Sequence, residues 1–431
     1  MPVSVVDIDL TAEIAALPQP TFTDVAVIGT ATAAPPNAAF GEVNRYGSAA
    51  EVANDYGDGS DVHESSKELE GRGVEEWMVV VLEAVEETET IDDGNAVSTT
   101  PVLGDPVPTA AARDVVFSTE SPPAAPDNGE VAINTDTGEV TTDDGTSADI
   151  TYYHADWTRL DRLGELGADR LHRANTQAGR EHIGTYDELV IWAGGNRAGV
   201  VLPIKDGTTF ADTDAAMAAA HEIAGYVPSG DVLPFIAMES SGDPGGEVLG
   251  QLATNDPWFD PFFDGDGYGF ANDYFEDAVV GDPSTAETFE GGDVNGDGPV
   301  NAVINVGGTT VLSNSVSTAG ASSNYQYFDV SMTESYAAEI VENALTSLRL
   351  REDRVPFTQD GRTMISSTIK SAFAGDVGGA DDPFAEVSVN VPSIDQLTDD
   401  EKANRVWSGI SIEGTLSGNV HEFGLEMTVT V

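Results

Sequence analysis

Residues 23–82, TDVAVIGTATAAPPNAAFGEVNRYGSAAEVANDYGDGSDVHESSKELEGRGVEEWMVVVL, decide the fold class. VAVIGTA, starting at Val25, is a short continuous apolar run of the kind that makes a buried strand, and Pro35 and Pro36 turn the chain after it. SAAEVANDYG then reads as a helix, VHESSKELEGRG as a further amphipathic segment, and Trp77 to Leu82 as a second apolar strand. Strand, helix and strand in that order specify an α/β unit.

Working outward, the first twenty residues alternate loosely at Val3, Val5, Ile8 and Leu10 and end at Pro18 and Pro20, which reads as an extended arm, 1–20. Residues 21–91 then form a first α/β segment. From 92 to 150 the composition shifts to Pro, Gly, Thr and Asp, with β-like pieces at Val115 to Ser118 and Val131 to Asn134 and the turn-rich NTDTGEVTTDDGT, as in an inserted β-rich domain. A second α/β segment, 151–295, follows. It opens on helical spacing at Trp157, Leu160, Leu163, Leu166 and Leu171 and continues with strands at Leu189 to Trp192 and Val200 to Ile204, a helix at Ala215 to Tyr226 and the strand VLPFIAM. Residues 240–299, rich in Gly, Asp and aromatics, read as irregular.

The last segment, 296–431, has sharper signals. Ser331 with Glu334 has capping-box spacing, and Tyr336, Ile340, Val341, Ala344, Leu345 and Leu348 share one helical face. A second helix is expected at Arg362 to Phe373, a strand at Val387, Val389 and Val391, and a short helix capped by Thr398 and Glu401. The chain closes on VWSGISIEGTL, the turn SGN, and a strand with Phe423, Leu425, Met427, Val429 and Val431 on one face. A strand of that kind can pair within its own hairpin or reach a neighbour's open sheet edge. The whole is expected to be a mixed α+β and α/β multidomain chain with a strand arm at each end.

Composition narrows the function. Across 431 residues, 75 Asp and Glu oppose 18 Lys and Arg for a formal net charge of −57, which excludes nucleic acid or an anionic membrane as the partner of most of the surface. The acids are spread through an aromatic-containing chain rather than gathered in blocks, so the surface is folded and not a disordered tail. Lysine occurs only at 67, 205, 370 and 402, and its greasy ammonium stem is what a surface short of free water loses first. A fold adapted to molar salt is the expected explanation, since at about 1 M the Debye length is roughly 3 Å and carboxylate repulsion is largely screened. With no cysteine, disulfides and thiolate metal sites are excluded. The stretch Met1 to Leu10 has no signal-peptide character and Val79 to Leu82 is too short to cross a bilayer, so folding in a cytoplasm is expected.

Catalytic motifs are missing. Carboxylate pairs arise by chance among so many acids, His221-Glu222 has Gly225 where a zincin needs its second histidine, and no phosphate-binding loop or serine elbow occurs. No enzyme activity and no cofactor are expected. Asp293, Asn295 and Asp297 before Gly298 match the opening of a calcium loop, but the twelfth position is Ile304 instead of glutamate, and an Asx-rich turn explains the same run. Arginines gather at Arg159, Arg162, Arg170, Arg173 and Arg180, read as one helical region, and again at Arg349, Arg351 and Arg354. Local pairing with Asp161, Glu165, Asp169 and Glu352 accounts for them singly. As groups they could grip the acidic surfaces of neighbouring subunits.

The chain resembles the tail sheath proteins of contractile-tailed viruses. The resemblance lies in TDVAVIGTATAAPPN, RYGSAAEVANDYGDGSDVHESSKELEGRG and WMVVVL, in INTDTGEVTTDDGTSADITYYHADW, in VLSNSVSTAGASSNYQYFDVSMTESYAAEIVENAL and VPFTQDGRTMISSTIKSAF, and in the closing GISIEGTLSGNVHEFGLEMTVTV. It implies a sheath core with terminal strand arms and an inserted β-rich domain. It further implies hexameric helical rings around a tail tube, tied together by exchanged strands and contracting to drive the tube into the host. With the acidity it points to a virus of a halophilic archaeon, assembled in the host cytoplasm and located in the virion tail. The implied partners are further copies of the chain, the tail tube protein, and the baseplate and tail terminator proteins. The arm residues Val3, Val5, Ile8, Leu10, Phe423, Leu425, Met427, Val429 and Val431 would then be subunit contacts. The alternatives are another halophilic assembly such as a surface-layer protein, or a tail tube subunit.

Overall fold

The computed structural model describes residues 24–99, 114–118, 122–127, 129–134, 137–174, 183–204, 220–221, 224–225, 228–236, 243–258, 290, 298–306, 309–320, 323–352, 354–378 and 382–417. They fall into two compact units divided between Met332 and Thr333. The architecture is mixed α/β, with one large mixed sheet and several small ones.

In the first unit the chain runs through β1 (Val25–Ala31), β2 (Asn44–Tyr46), α1 (Ala49–Tyr56), α2 (Asp61–Gly71) and β3 (Trp77–Glu83). β1 and β3 pair in parallel, Ala26 opposite Met78 through Ala31 opposite Glu83. Both strands read as unbroken apolar runs because both of their faces are covered: Val25 to Ile28 and Met78 to Val80 are fully buried. α1 begins where the Ser48 side chain accepts the Glu51 N–H, buries Ala49, Val52 and Tyr56 along one face, and stops at Gly57, whose φ of 102° suits only glycine.

The chain then leaves the sheet and returns on the other side of β1. β9 (Arg170–Arg173) pairs in parallel with β1, followed outward by β10 (Gly199–Ile204), β11 (Val232–Ile236) and β12 (Asn301–Val306), all parallel. Antiparallel β13 (Thr309–Leu312) and β2 close the two edges, giving the order β13-β12-β11-β10-β9-β1-β3-β2 among the described residues. One face packs beneath α3 (Asp161–Glu165), with Leu160 and Leu163, and α4 (Ile183–Asn196), with Leu189, Trp192 and Ala193. The other packs beneath α1, α2, α5 (Pro244–Ala253) and the start of α6 (Phe328–Arg351).

The excursion between β3 and β9 is a small β module. β4 (Val85–Ile91) pairs antiparallel with β8 (Ala148–His154), while β5 (Asp114–Ser118), β6 (Glu130–Asn134) and β7 (Val140–Thr142) form a second sheet. Its core is its own: Ile91, Val97, Val131, Ile133, Val140, Ala148, Ile150 and Tyr152. The β4–β8 ladder puts Val85 opposite His154, so this module extends beyond the expected 92–150 at both ends.

Other expectations need correction. Leu189 to Trp192 lies in helix α4, not in a strand: Leu189, Trp192 and Ala193 are buried at helical spacing while Ile191 is 64% exposed. A four-residue apolar run does not carry enough period to tell the two apart. Leu171, with Arg170 and Arg173, belongs to β9 and not to a helix. Pro244–Ala253, inside the stretch read as irregular, is a helix with Pro at its start and Asp243 as its cap. β12 extends the sheet of the first unit, so the compact units part at 332 rather than 296. Ser331 does not cap a helix; α6 starts at Phe328, and the Ser331 hydroxyl donates to Asp231. The expected helix at 215–226 lies mostly outside the described residues.

The second unit continues α6 and adds α7 (Gln359–Ala372), β14 (Phe384–Asn390), α8 (Asp399–Asn404) and β15 (Ser411–Leu416). α8 carries a full capping box: Glu401 N–H donates to Thr398 Oγ1 at 3.2 Å and Thr398 N–H to Glu401 Oε2 at 2.6 Å.

Candidate functional site

The feature best suited to joining copies is the two-stranded ribbon of the second unit. β14 and β15 pair antiparallel, Val389 opposite Ile412 and Val387 opposite Gly414. Period-2 alternation gives the ribbon two faces. Val387, Val389, Ile412 and Leu416 are half-buried, and β14 lies against α7, whose Ile365 and Ile369 are buried. Glu386, Ser388, Asn390, Ser411, Glu413 and Thr415 are exposed. The start is anchored by the Phe384 ring, edge-on to Phe373 at 5.4 Å, where Gly414 leaves it room. At that end Val377 bridges Phe384; beyond it, no strand among the described residues covers the outer edge of β14 or of β15. Two strands alone are marginal in water, and an edge that no described strand covers can take a further strand. The ribbon's charged residues are Glu386 and Glu413, with no Lys or Arg.

The first unit holds a buried polar cluster that the motif search did not find. Asp243 caps α5 by accepting the Gly245 N–H at 3.1 Å, and its two oxygens lie 2.9 and 2.8 Å from His172 Nε2 on β9. Ser65 of α2 donates to the same carboxylate. Next to it Arg72 pairs with Glu247, and Arg170 donates to the Leu252 carbonyl at 2.5 Å. Burial pushes the Arg170 guanidinium down to about 10, against the opposing charges of Asp169 and Asp256. Although serine, histidine and aspartate meet here, Ser65 bonds the carboxylate and not the imidazole, and all three are buried. The arrangement therefore ties α2, α5 and β9 together instead of activating a nucleophile. A sequence signal existed: RLHR places Arg170 and His172 on one face of a central strand, where polar side chains occur only with partners waiting.

Of the residues singled out from sequence, Val3, Val5, Ile8, Leu10, Phe423, Leu425, Met427, Val429 and Val431 lie outside the described residues, as do Asp293, Asn295 and Asp297. Arg159 pairs with Asp156 at 3.1 Å, Arg162 with Glu165 at 2.5 Å and Arg351 with Glu352 at 3.7 Å. Arg349 and Arg354 are exposed. Arg173 is buried on β9 and reaches Thr30 at 3.1 Å. Among the described residues no group of three or more His, Cys, Asp or Glu could hold a metal, and no helix is long and apolar enough to cross a membrane.

No protein-family model matches the chain, and no curated protein matches it. Solved structures do. A chain of the anti-feeding prophage baseplate, 6-fold symmetrised, aligns over 95% of this chain and 94% of its own with a TM-score of 0.56 at 12% identity. A chain of the PVC sheath complex, an extracellular contractile injection system in the contracted state, aligns over 94% and 91% with a TM-score of 0.52 at 12% identity. The anti-feeding prophage helical sheath in its contracted state aligns over 94% and 93% with a TM-score of 0.53 at 12% identity. The chain thus has the fold of contractile injection system sheath proteins.

Proposed function

We propose that this chain is the repeating subunit of a contractile tail sheath, stacked as hexameric helical rings around a tail tube and contracting to drive that tube through a host envelope. The observation that carries the reading is the shared fold with sheath chains over 94% of the sequence, which includes both units. The work of such a protein lies in its contacts with copies of itself, with the tube, and with the baseplate and terminator at the two ends of the stack. Residues 1–20 and 420–431 are donated as strands to neighbours, and the open β14–β15 ribbon receives them. Head-to-tail contacts of this type extend as a filament when the rotation between copies does not close. Arg159, Arg162, Arg349, Arg351 and Arg354, all on the surface, add contacts to acidic neighbours. The net charge of −57 supports a molar-salt environment for the device, in this reading that of a haloarchaeal virus whose tails assemble in the host cytoplasm. A second reading, an injection system in place of a virion tail, is favoured by the PVC complex among the structures that share the fold.

Negative-stain microscopy of the purified chain in molar salt is the test. Tubes or stacked rings are expected from the full chain, and soluble monomers from chains lacking 1–20 or 420–431. Assembly that survives both deletions would remove the strand-exchange mechanism, and monomers from the full chain would remove the sheath reading.

A further inference from the structure

Resting on the sheath reading above, we propose that the second unit carries a basic surface studded with apolar side chains, which docks on the acidic first unit of another copy of this chain. The cations of the two units differ in whether they have partners. Each described Lys and Arg of the first unit is engaged, whether exposed, as Arg45 with Asp24 and Glu76, or enclosed, as Arg72 with Glu247. In the second unit Arg349, Arg354, Lys370 and Arg405 are exposed, and their side chains make no ion pair or hydrogen bond among the described residues. Acids outnumber bases in that unit too, so carboxylates are not scarce there.

Two of these four cations stand beside apolar side chains that the fold leaves outside. Leu350, 55% exposed, follows Arg349 in the last turn of α6, and Val406, 49% exposed, follows Arg405. The Phe357 ring lies 4.9 Å from that of Trp407, which ties the chain three residues beyond Arg354 to the residue next to Val406. The two stretches therefore meet. Arg405 holds a left-handed backbone, φ 58°, at the end of α8, where glycine is the favoured residue. A cation at a helix end complements the macrodipole, which accounts for Arg349, Lys370 and Arg405 one at a time. It does not account for Arg354, which lies beyond α6, or for the exposure of Leu350 and Val406.

Charge selects the occupant. The first unit, 22–332, holds 55 Asp and Glu against 11 Lys and Arg, and its described cations are already engaged within the chain. Its surface therefore has an acid excess for cations from outside, and arginine's planar fork suits carboxylates. When docking covers Leu350 and Val406, the ion pairs beside them are shielded and keep in molar salt an attraction that open pairs lose. Nucleic acid, the other polyanion of suitable sign, is repelled by the net charge of −57.

The experiment compares the purified full chain with R349Q/R354Q/R405Q and with L350S/V406S in molar salt. Assembly is read by sedimentation velocity, and folding by near-UV circular dichroism and urea unfolding. The concentration for half assembly is expected to rise roughly tenfold in both variants. The spectrum and the urea midpoint should not move, because all five side chains are exposed. Carbodiimide joins amines to carboxylates in contact. Arg405→Lys, assembled from unlabelled and isotope-labelled copies, should therefore give crosslinks from position 405 to a carboxylate of 22–332 in a different copy. Unchanged assembly in the arginine variant, or the absence of crosslinks between copies, overturns the surface. A fall in urea midpoint that matches the loss of assembly also overturns it, since that marks the arginines as helix-end charges. If the full chain assembles and the arginine variant assembles equally, the sheath reading stands and the surface alone falls. A full chain that stays monomeric removes the sheath reading and the surface with it.

Discussion

Gly245, at the start of the helix Pro244–Ala253, has none of the usual reasons to be glycine, since its φ is not positive. By helix propensity alone, alanine there gains up to about 1 kcal/mol. What stands in the way is the His172 imidazole, which lies where an added Cβ would go. The ring has no escape: it is fully buried, and Nε2 is held 2.9 and 2.8 Å from the two oxygens of Asp243. Overpacking of a tight site costs about 1–3 kcal/mol, so with the propensity gain set against it Gly245→Ala is expected to destabilise the first unit by about 1 kcal/mol net. His172→Ala costs about 1.5–3 kcal/mol, because it takes the imidazole's hydrogen bond from the buried Asp243 carboxylate, which keeps those from Ser65 and the Gly245 N–H. In that background, however, the methyl that Gly245→Ala adds enters vacated space, and the same substitution becomes stabilising by up to about 1 kcal/mol. The change of sign, a coupling of roughly 2 kcal/mol, can be read by urea unfolding of the four proteins in molar salt through the fluorescence of buried Trp77. Equal destabilisation by Gly245→Ala in both backgrounds would show that the glycine does not exist to seat the histidine.

Three further expectations address other parts of the molecule. Burial pushes the Glu89 carboxyl up, but hydrogen bonds from Tyr152 and from the backbone and hydroxyl of Ser98 outweigh it and hold the group below the usual carboxylate range. Its folded pKa is thus depressed, so the stability it confers is present above the unfolded value near 4.3 and is lost as pH falls below it. Hydrogen exchange at 96–99 should accelerate below about pH 4, and Glu89→Gln should flatten that dependence. Asn301 is buried and donates to the Pro234 and Val316 carbonyls at 2.7 and 2.8 Å while accepting the Val316 N–H at 2.9 Å. Asn301→Ala strands all three and should cost about 3 kcal/mol by denaturant unfolding. Thr398→Ala removes the Thr398 side of the box capping Asp399–Asn404 and should cost about 1 kcal/mol, seen as faster exchange confined to that helix.

The strand-helix-strand reading of residues 23–82 was legible because each element there has enough length for its period to be unambiguous, and the capping residue and the terminating glycine agree with it. Leu189 to Trp192 was not, because four apolar residues suit a helix or a strand equally and the deciding fact, the exposure of Ile191, is tertiary. Asp243 was invisible for a related reason. It meets Ser65 and His172 only because the sheet order brings α2, α5 and β9 together, at sequence separations of 178 and 71 residues. The ribbon was half legible: the alternation of Val387 and Val389 was plain, but that no other described strand joins it is a property of the sheet order and leaves no mark in the chain.

The placement of the arginines carries the comparison one step further. Arg162 and Glu165 have side chains 58% and 64% exposed, so their pair stabilises little in dilute solution and less in molar salt. Arg72 and Glu247, 12% and 2% exposed, keep their attraction in any salt, and removing either would leave a buried charge behind. In a chain with 18 basic residues against 75 acidic ones, the enclosed Arg72 is therefore effective where solvent ions do not reach it, and the exposed Arg162 is not. A surface pair that salt screens and a buried pair that it does not reach are compatible in one fold, because they fall on different residues.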